Sequence, residues 1–208
     1  MSMMTTEDNM SDITEIKSKR PVEVVAIVDA SGSMGMIRND AIGAFNTFIT
    51  DQQKLEGEAN LTVVQFSSTV NVSQNSVNLS EATLFDTVNY VPNGGTALFD
   101  AIGTTVTGLI ARREKGEIDS AIITILTDGE ENQSREYNAS KVKTLIEKVQ
   151  NDFGWEVVFL AANQDAFTTG STFGISAANA VNFTADSKGI AAASATLGEY
   201  TRAYRSKN

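Results

Sequence analysis

The feature that most constrains this chain is an alternation of two apolar patterns. Residues 22–28 (VEVVAIV), 61–66 (LTVVQF), 121–126 (AIITIL) and 156–161 (EVVFLA) are short apolar runs of buried-strand length. Between them lie longer segments whose apolar residues recur every three or four positions, the spacing of one helical face. Ile37, Ala41, Ala44, Phe45, Phe48 and Ile49 form the first such stripe, with Gly57 just beyond its end. Leu98, Ile102, Val106, Leu109 and Ile110 form the second, closed by Arg112, Arg113 and Lys115, where cations suit the helix dipole. Val142, Leu145, Ile146 and Val149 mark a third helix. Ile190, Ala193, Leu197, Tyr200 and Tyr204 mark a last one, whose stripe reads as core packing.

Residues 70–77 (VNVSQNSV) alternate apolar and polar, as a half-exposed strand does. The short turn Ser67-Ser68-Thr69 joins them to the preceding strand, which predicts an antiparallel hairpin with its outer strand at the sheet edge. Residues 78–95 read as a loop with a short helical turn, punctuated by Pro92, Asn93, Gly94 and Gly95. Phe167 and Phe173 flank a short helical or irregular stretch, and residues 181–183 suit a final short strand. Strands alternating with helices predict an α/β fold. Its form is a three-layer, doubly wound, mostly parallel sheet with one antiparallel edge strand, helices on both faces and right-handed crossovers. The regularity is unbroken from Pro21 to Arg205, so residues 21–208 read as one domain. Residues 1–20 carry Glu7, Asp8, Asp12 and Glu15 and no apolar core. They read as a disordered leader and not as a signal peptide.

Composition narrows the chemistry. The 208 residues contain no His and no Cys. That excludes nucleophile systems built on His, zinc fingers, haem and iron–sulfur sites, disulfides and thiol redox chemistry. Any metal must be held by oxygen, which means a hard cation. A net charge of −10 opposes nucleic acid and anionic membranes. No apolar run approaches the roughly 18 residues of a membrane helix, and cytoplasmic residence is the default expectation.

In a doubly wound sheet, ligands bind beyond the C-terminal strand ends at the topological switch point. The first strand runs into Asp29-Ala30-Ser31-Gly32-Ser33, and the AIITIL strand into Thr127-Asp128-Gly129-Glu130-Glu131. The loop before the second helix ends in Gly94-Gly95-Thr96. Each loop alone also reads as a polar turn or helix cap, because Asp, Ser and Thr are common in both roles. Converging on one sheet edge, they offer carboxylates and hydroxyls, an oxygen shell for a hard cation such as magnesium, with manganese or calcium as alternatives.

These loops resemble the von Willebrand factor type A domain, whose metal-ion-dependent adhesion site carries D-x-S-x-S, a Thr in a second loop and the Asp of T-D-G. The matching positions are Asp29, Ser31, Ser33, Thr96 and Asp128. The wording here (VDASGSM, GGTALFDAIG, ILTDGEEN, FLAANQDAF) looks most like the stand-alone domains of bacteria and their phages. The resemblance implies that Ser31, Ser33 and Thr96 ligate directly, while Asp29 and Asp128 act through water or swap in. Gly32 and Gly95 would let the backbone pack close to the ion. One coordination position is then left for an Asp or Glu of a partner protein. It implies a binding module, monomeric on its own, and no catalytic residues.

Glu130 and Glu131 are read as a solvated acidic loop or as groups that tune partner choice. Asn163 and Asp165 follow the EVVFLA strand, either rimming the same surface or, for Asp165, capping a helix. Arg135 and Tyr137 are candidate partner contacts, and Trp155 is read as structural. Two other functions compete. One is a structural subunit of a phage or bacterial assembly with a vestigial site. The other is a magnesium-dependent hydrolase, which the lack of phosphate-binding glycine motifs and of Lys or Arg in the three loops opposes.

Overall fold

The computed structural model describes residues 20–208. The expected leader lies outside the described residues except for Arg20, whose guanidinium pairs with Asp119 at 3.1 Å. β1 (Val22–Asp29) is buried along its whole length. Val24, Ala26 and Val28 face one core and Val25 and Ile27 the other, so neither face of the strand meets solvent. Parallel strands flank it on both sides. β2 (Ala59–Phe66) pairs from Val22↔Ala59 to Asp29↔Phe66, and β4 (Ala121–Thr127) from Glu23↔Ala121 to Val28↔Leu126.

β3 (Val70–Asn78) folds back antiparallel onto β2 and leaves its outer edge exposed. β5 (Glu156–Ala162) and β6 (Ala180–Phe183) extend the other side in parallel. The sheet order is β3-β2-β1-β4-β5-β6. Chain order reverses between β1 and β4, so the switch point lies between the ends of those two strands.

The helices are α1 (Arg38–Gln53), α2 (Leu98–Glu114), α3 (Ala139–Phe153), α4 (Ala166–Thr172) and α5 (Ser187–Lys207). α1 and α5 cover one face through Phe45, Phe48, Ile49, Ile190, Ala193 and Leu197. α2 and α3 cover the other through Leu98, Ile102, Val106, Val142, Ile146 and Val149. This is the expected three-layer, Rossmann-like α/β fold, with its one antiparallel edge strand. The departures are local. A 3-10 turn (Gly32–Ile37) precedes α1, and another (Leu79–Glu81) interrupts the long loop. The stretch after Asp165 is helical as α4, capped by that Asp through the Phe167 amide. Trp155 is buried and its indole N–H donates to the Asp119 carbonyl. Among the described residues no helix is long and apolar enough to cross a membrane.

One buried group escaped the sequence pattern. Glu23 sits inside the apolar β1 run and is 0% exposed. A carboxylate there is tolerable only if it is paired and hydrogen-bonded. Thr62 and Ser76 donate hydroxyls to it at 2.5 and 2.8 Å, and Arg112 of α2 reaches it at 3.1 Å. Ser76 adopts a φ of 51° where the β2–β3 register is irregular, which turns its hydroxyl to the same carboxylate.

Candidate metal centre at the switch point

β1 delivers Asp29 fully buried at its C-terminal end. The Ser31 amide donates to one carboxylate oxygen at 2.7 Å, and the Thr127 hydroxyl to the other at 2.6 Å. Thr127 ends β4, beside β1, so strand register sets this contact. The turn carries Ser31 and Ser33 forward with their hydroxyls 3.1 Å apart, and Ser33 donates to Asp128 at 2.6 Å. Asp29, Ser31, Ser33 and Asp128 therefore form one hydrogen-bonded chain across the switch point.

Thr96 comes from the loop before α2 and is buried. Asn132 clamps its backbone from both sides. The Thr96 amide donates to Asn132 Oδ1 at 2.9 Å, and the Asn132 amide donates to the Thr96 carbonyl at 3.0 Å. A Cβ built on Gly129 would lie 3.3 Å from the Thr96 hydroxyl and 3.8 Å from that of Ser33. Thr96 and Ser33 thus both flank Gly129, the neighbour of Asp128.

The backbone around the site is tightly fitted. The Gly32 amide donates to the Gly94 carbonyl and the Asn93 amide to the Ala30 carbonyl, binding the first two loops together. A Cβ on Gly95 would overlap Gln133 Cγ and approach Asn132 Oδ1 at 2.8 Å. Tyr90, 0% exposed, donates its phenol to the Asp29 carbonyl at 2.6 Å. Its ring stacks on Phe85, which stacks on Phe45 of α1.

The electrostatics are unfavourable without a cation. Burial pushes the Asp29 carboxyl above its ordinary value; hydrogen bonds from Thr127 and Ser31 oppose the shift, and the nearby Asp128 adds to it. Burial likewise raises Asp128, opposed by Ser33. Burial and the two carboxylates also raise the Tyr90 phenol, which stays protonated and donates. Among the described residues no Lys or Arg forms an ion pair with Asp29 or Asp128. Nor is there a cluster of three or more His, Cys, Asp or Glu side chains among them. The donor set is two carboxylates and three hydroxyls, which fits a hard divalent ion in both charge and ligand type.

The other expected surface residues divide. Glu131 turns inward: it accepts the Phe99 amide at the start of α2, the Gln133 and Ser134 amides, and the Ser134 hydroxyl. Asn163, at a φ of 56°, donates to the Asp128 carbonyl at 3.1 Å, and Gln164 donates to the Gly129 carbonyl at 2.8 Å. Asp165 is engaged in capping α4. Tyr137 packs its ring on Gly103 of α2 and shares a hydrogen bond with Thr107. Glu130 and Arg135 are exposed at the rim. Tyr90, Thr127 and Asn132 are supports the sequence reading assigned no role. The one available signal was a Tyr and an Asn inside otherwise polar loops, which does not say what they approach.

An open, mostly parallel α/β sheet whose chain order reverses between β1 and β4, with oxygen-bearing loops converging there, is of the doubly wound class. The family model of the von Willebrand factor type A domain matches residues 23–192, and the chain belongs to that family. No curated protein matches the sequence.

Among solved structures, the pilus adhesin SpaC from Lactobacillus rhamnosus GG is similar at 15% identity with a TM-score of 0.67, covering 88% of this chain and 31% of that one. Proximal thread matrix protein 1 from the mussel byssus, with a zinc-occupied MIDAS motif, is similar at 12% identity and a TM-score of 0.62, covering 88% and 48%. Manganese-loaded TRAP protein from Plasmodium vivax is similar at 18% identity and a TM-score of 0.54, covering 74% and 63%. The chain thus spans less than two thirds of the length of each, and at these identities the likeness establishes the fold.

Proposed function

We propose that the chain is a metal-dependent protein-binding module, in which a divalent cation at Asp29, Ser31, Ser33, Thr96 and Asp128 engages an acidic side chain of a partner. The observation that carries this reading is the pair of buried carboxylates that lack a cationic side chain and meet three hydroxyls at the switch point. Buried charge without a counter-charge is costly, and a dication would balance the two carboxylates. When bound, the ion supplies positive charge and a coordination position for an incoming carboxylate.

The chain's own residues hold the donors in place. Thr127 and the Ser31 amide orient Asp29, Asn132 fixes Thr96, and Asn163 and Gln164 anchor the backbone of Asp128 and Gly129. Magnesium is the first choice for so small and hard a shell. The zinc in the mussel protein's MIDAS motif and the manganese in TRAP support a divalent ion in general. The same reading takes the chain as a non-catalytic domain, supported by similar structures that include a pilus adhesin and a byssus matrix protein; its monomeric state, cytoplasmic residence and bacterial or phage origin are proposed from the sequence alone.

The test is affinity capture from the source cell in magnesium and in EDTA, with Asp128→Ala as control. The expected result is a protein retained only by the wild type in magnesium. Identical partners under all three conditions would overturn the proposal.

A further inference from the structure

Exposed apolar side chains are unevenly placed on this molecule. Among the described residues the exposed large hydrophobics are Met36, Val72, Leu84, Val88, Val91 and Phe167. Singly scattered ones need no explanation, but a group of them beside a site does. Three of the six, Met36, Val88 and Val91, come from two short segments that hydrogen bonds tie together beside the switch point.

Hydrogen bonds fix that juxtaposition. The Asn93 amide donates to the Ala30 carbonyl and the Gly32 amide to the Gly94 carbonyl. Further along, the Arg38 guanidinium donates to the Tyr90 carbonyl at 3.0 Å and to the Thr87 carbonyl at 2.5 Å. Residues 30–38 are therefore tied at both ends to residues 87–94. Met36, 95% exposed, lies on one segment; Val88, 82% exposed, and Val91, 50% exposed, lie on the other. Met36 is three residues past Ser33. Arg38 is engaged by the two carbonyls, and Asp86 accepts the amides of Val88 and Asn89.

We propose that Met36, Val88 and Val91 form an apolar shoulder that seats an aliphatic or aromatic side chain adjacent to the partner's metal-binding Asp or Glu. The inference rests on the metal-dependent reading above and adds which acidic segments are chosen. The ion accepts any carboxylate, so it cannot discriminate among the many acidic surfaces of a cell. An apolar contact beside it can, because burying one aliphatic side chain adds affinity only for segments that carry it. Continuity with the metal centre selects this occupant.

The test uses fluorescent, end-capped peptides with a single Asp or Glu flanked by either Leu or Ser, titrated with the full chain in magnesium and in EDTA. The variant is Met36→Ser with Val88→Ser, both at exposed positions, with the thermal midpoint and its magnesium shift as folding controls. Expected is magnesium-dependent binding of the Leu-flanked peptides about tenfold tighter than of the Ser-flanked ones, the order expected for one aliphatic contact. The ratio should fall to about one in the variant. Equal affinities in the wild type, or a preference that survives the double substitution, would overturn the shoulder while leaving the metal reading intact. If no acidic peptide binds more tightly in magnesium than in EDTA, the metal reading fails, and the shoulder with it.

Discussion

Asp128→Asn separates the two effects that a buried carboxylate has on this fold. Asn preserves the shape of the side chain and an acceptor for the Ser33 hydroxyl, which sits 2.6 Å away in the wild type. It removes the charge. Burial raises the Asp128 carboxyl above its ordinary value in the metal-free protein. A group raised in this way contributes stability that is fully present below its unfolded value and is lost as pH rises through its folded value. At pH 7 the metal-free wild type therefore carries a penalty that the Asn variant lacks.

Asp128 is 3% exposed with one side-chain donor, so relief of about 1 kcal/mol is expected, within the range for an imperfectly satisfied buried polar group. For a domain of this size that is about 2–4 °C. Magnesium reverses the order. At a hundredfold excess over its dissociation constant a ligand adds about 2.7 kcal/mol, and the variant should receive little of it. Thermal unfolding followed by circular dichroism, in EDTA and in magnesium at pH 7 and 5, reads both effects. The expected pattern is a crossover at pH 7, with the variant ahead in EDTA and the wild type ahead in magnesium. At pH 5 both differences should shrink. A wild type more stable than the variant in EDTA at pH 7, or an equal magnesium shift in both, would refute the claim that this charge awaits a cation.

Other substitutions test the supports. Arg112→Met should cost about 3 kcal/mol in chemical denaturation, because it strands the fully buried Glu23 with only two hydroxyl donors. Glu23→Gln should cost less, since Arg112 is partly exposed and has Glu117 at 3.6 Å as a second partner; the reverse order would contradict the pairing. Tyr90→Phe removes the donor to the Asp29 carbonyl and should lower stability by about 1 kcal/mol and weaken magnesium affinity measured by calorimetry. An unchanged affinity would show that the phenol does not position Asp29. Gly95→Ala crowds Gln133 and Asn132, so an overpacking cost of about 1–3 kcal/mol in urea denaturation is expected, with loss of magnesium-induced stabilisation.

The sheet was legible because its pattern is periodic. Runs such as AIITIL between helical stripes define strands, and β1 reads as central because it is apolar on both faces. The convergence of Asp29, Ser31, Ser33, Thr96 and Asp128 was legible because each lies in a loop whose place at the sheet edge follows from topology. What holds them was not. Tyr90 approaches Asp29 across 61 residues of chain, and Asn132 approaches Thr96 across 36; no periodicity in the loops that carry Tyr90 and Asn132 encodes either contact. Glu23 was hidden for the opposite reason, since an apolar run masked a single charge whose partners lie on β2, β3 and α2. The rim was the least legible part. Glu131, Asn163 and Asp165 stand at the expected edge but bond internally, and whether a polar side chain turns in or out depends on amides that folding presents to it.

The most direct measurement is paramagnetic broadening of the amide spectrum as manganese is added in substoichiometric amounts to the magnesium-free protein. A hard ion held by the five donors should first erase signals from residues 29–33, 95–97 and 127–129, and added magnesium should restore them. Asp128→Ala should abolish the effect. Broadening spread over surface carboxylates such as Asp86, Asp119 and Asp152, with residues 29–33 untouched, would contradict a metal centre at the switch point.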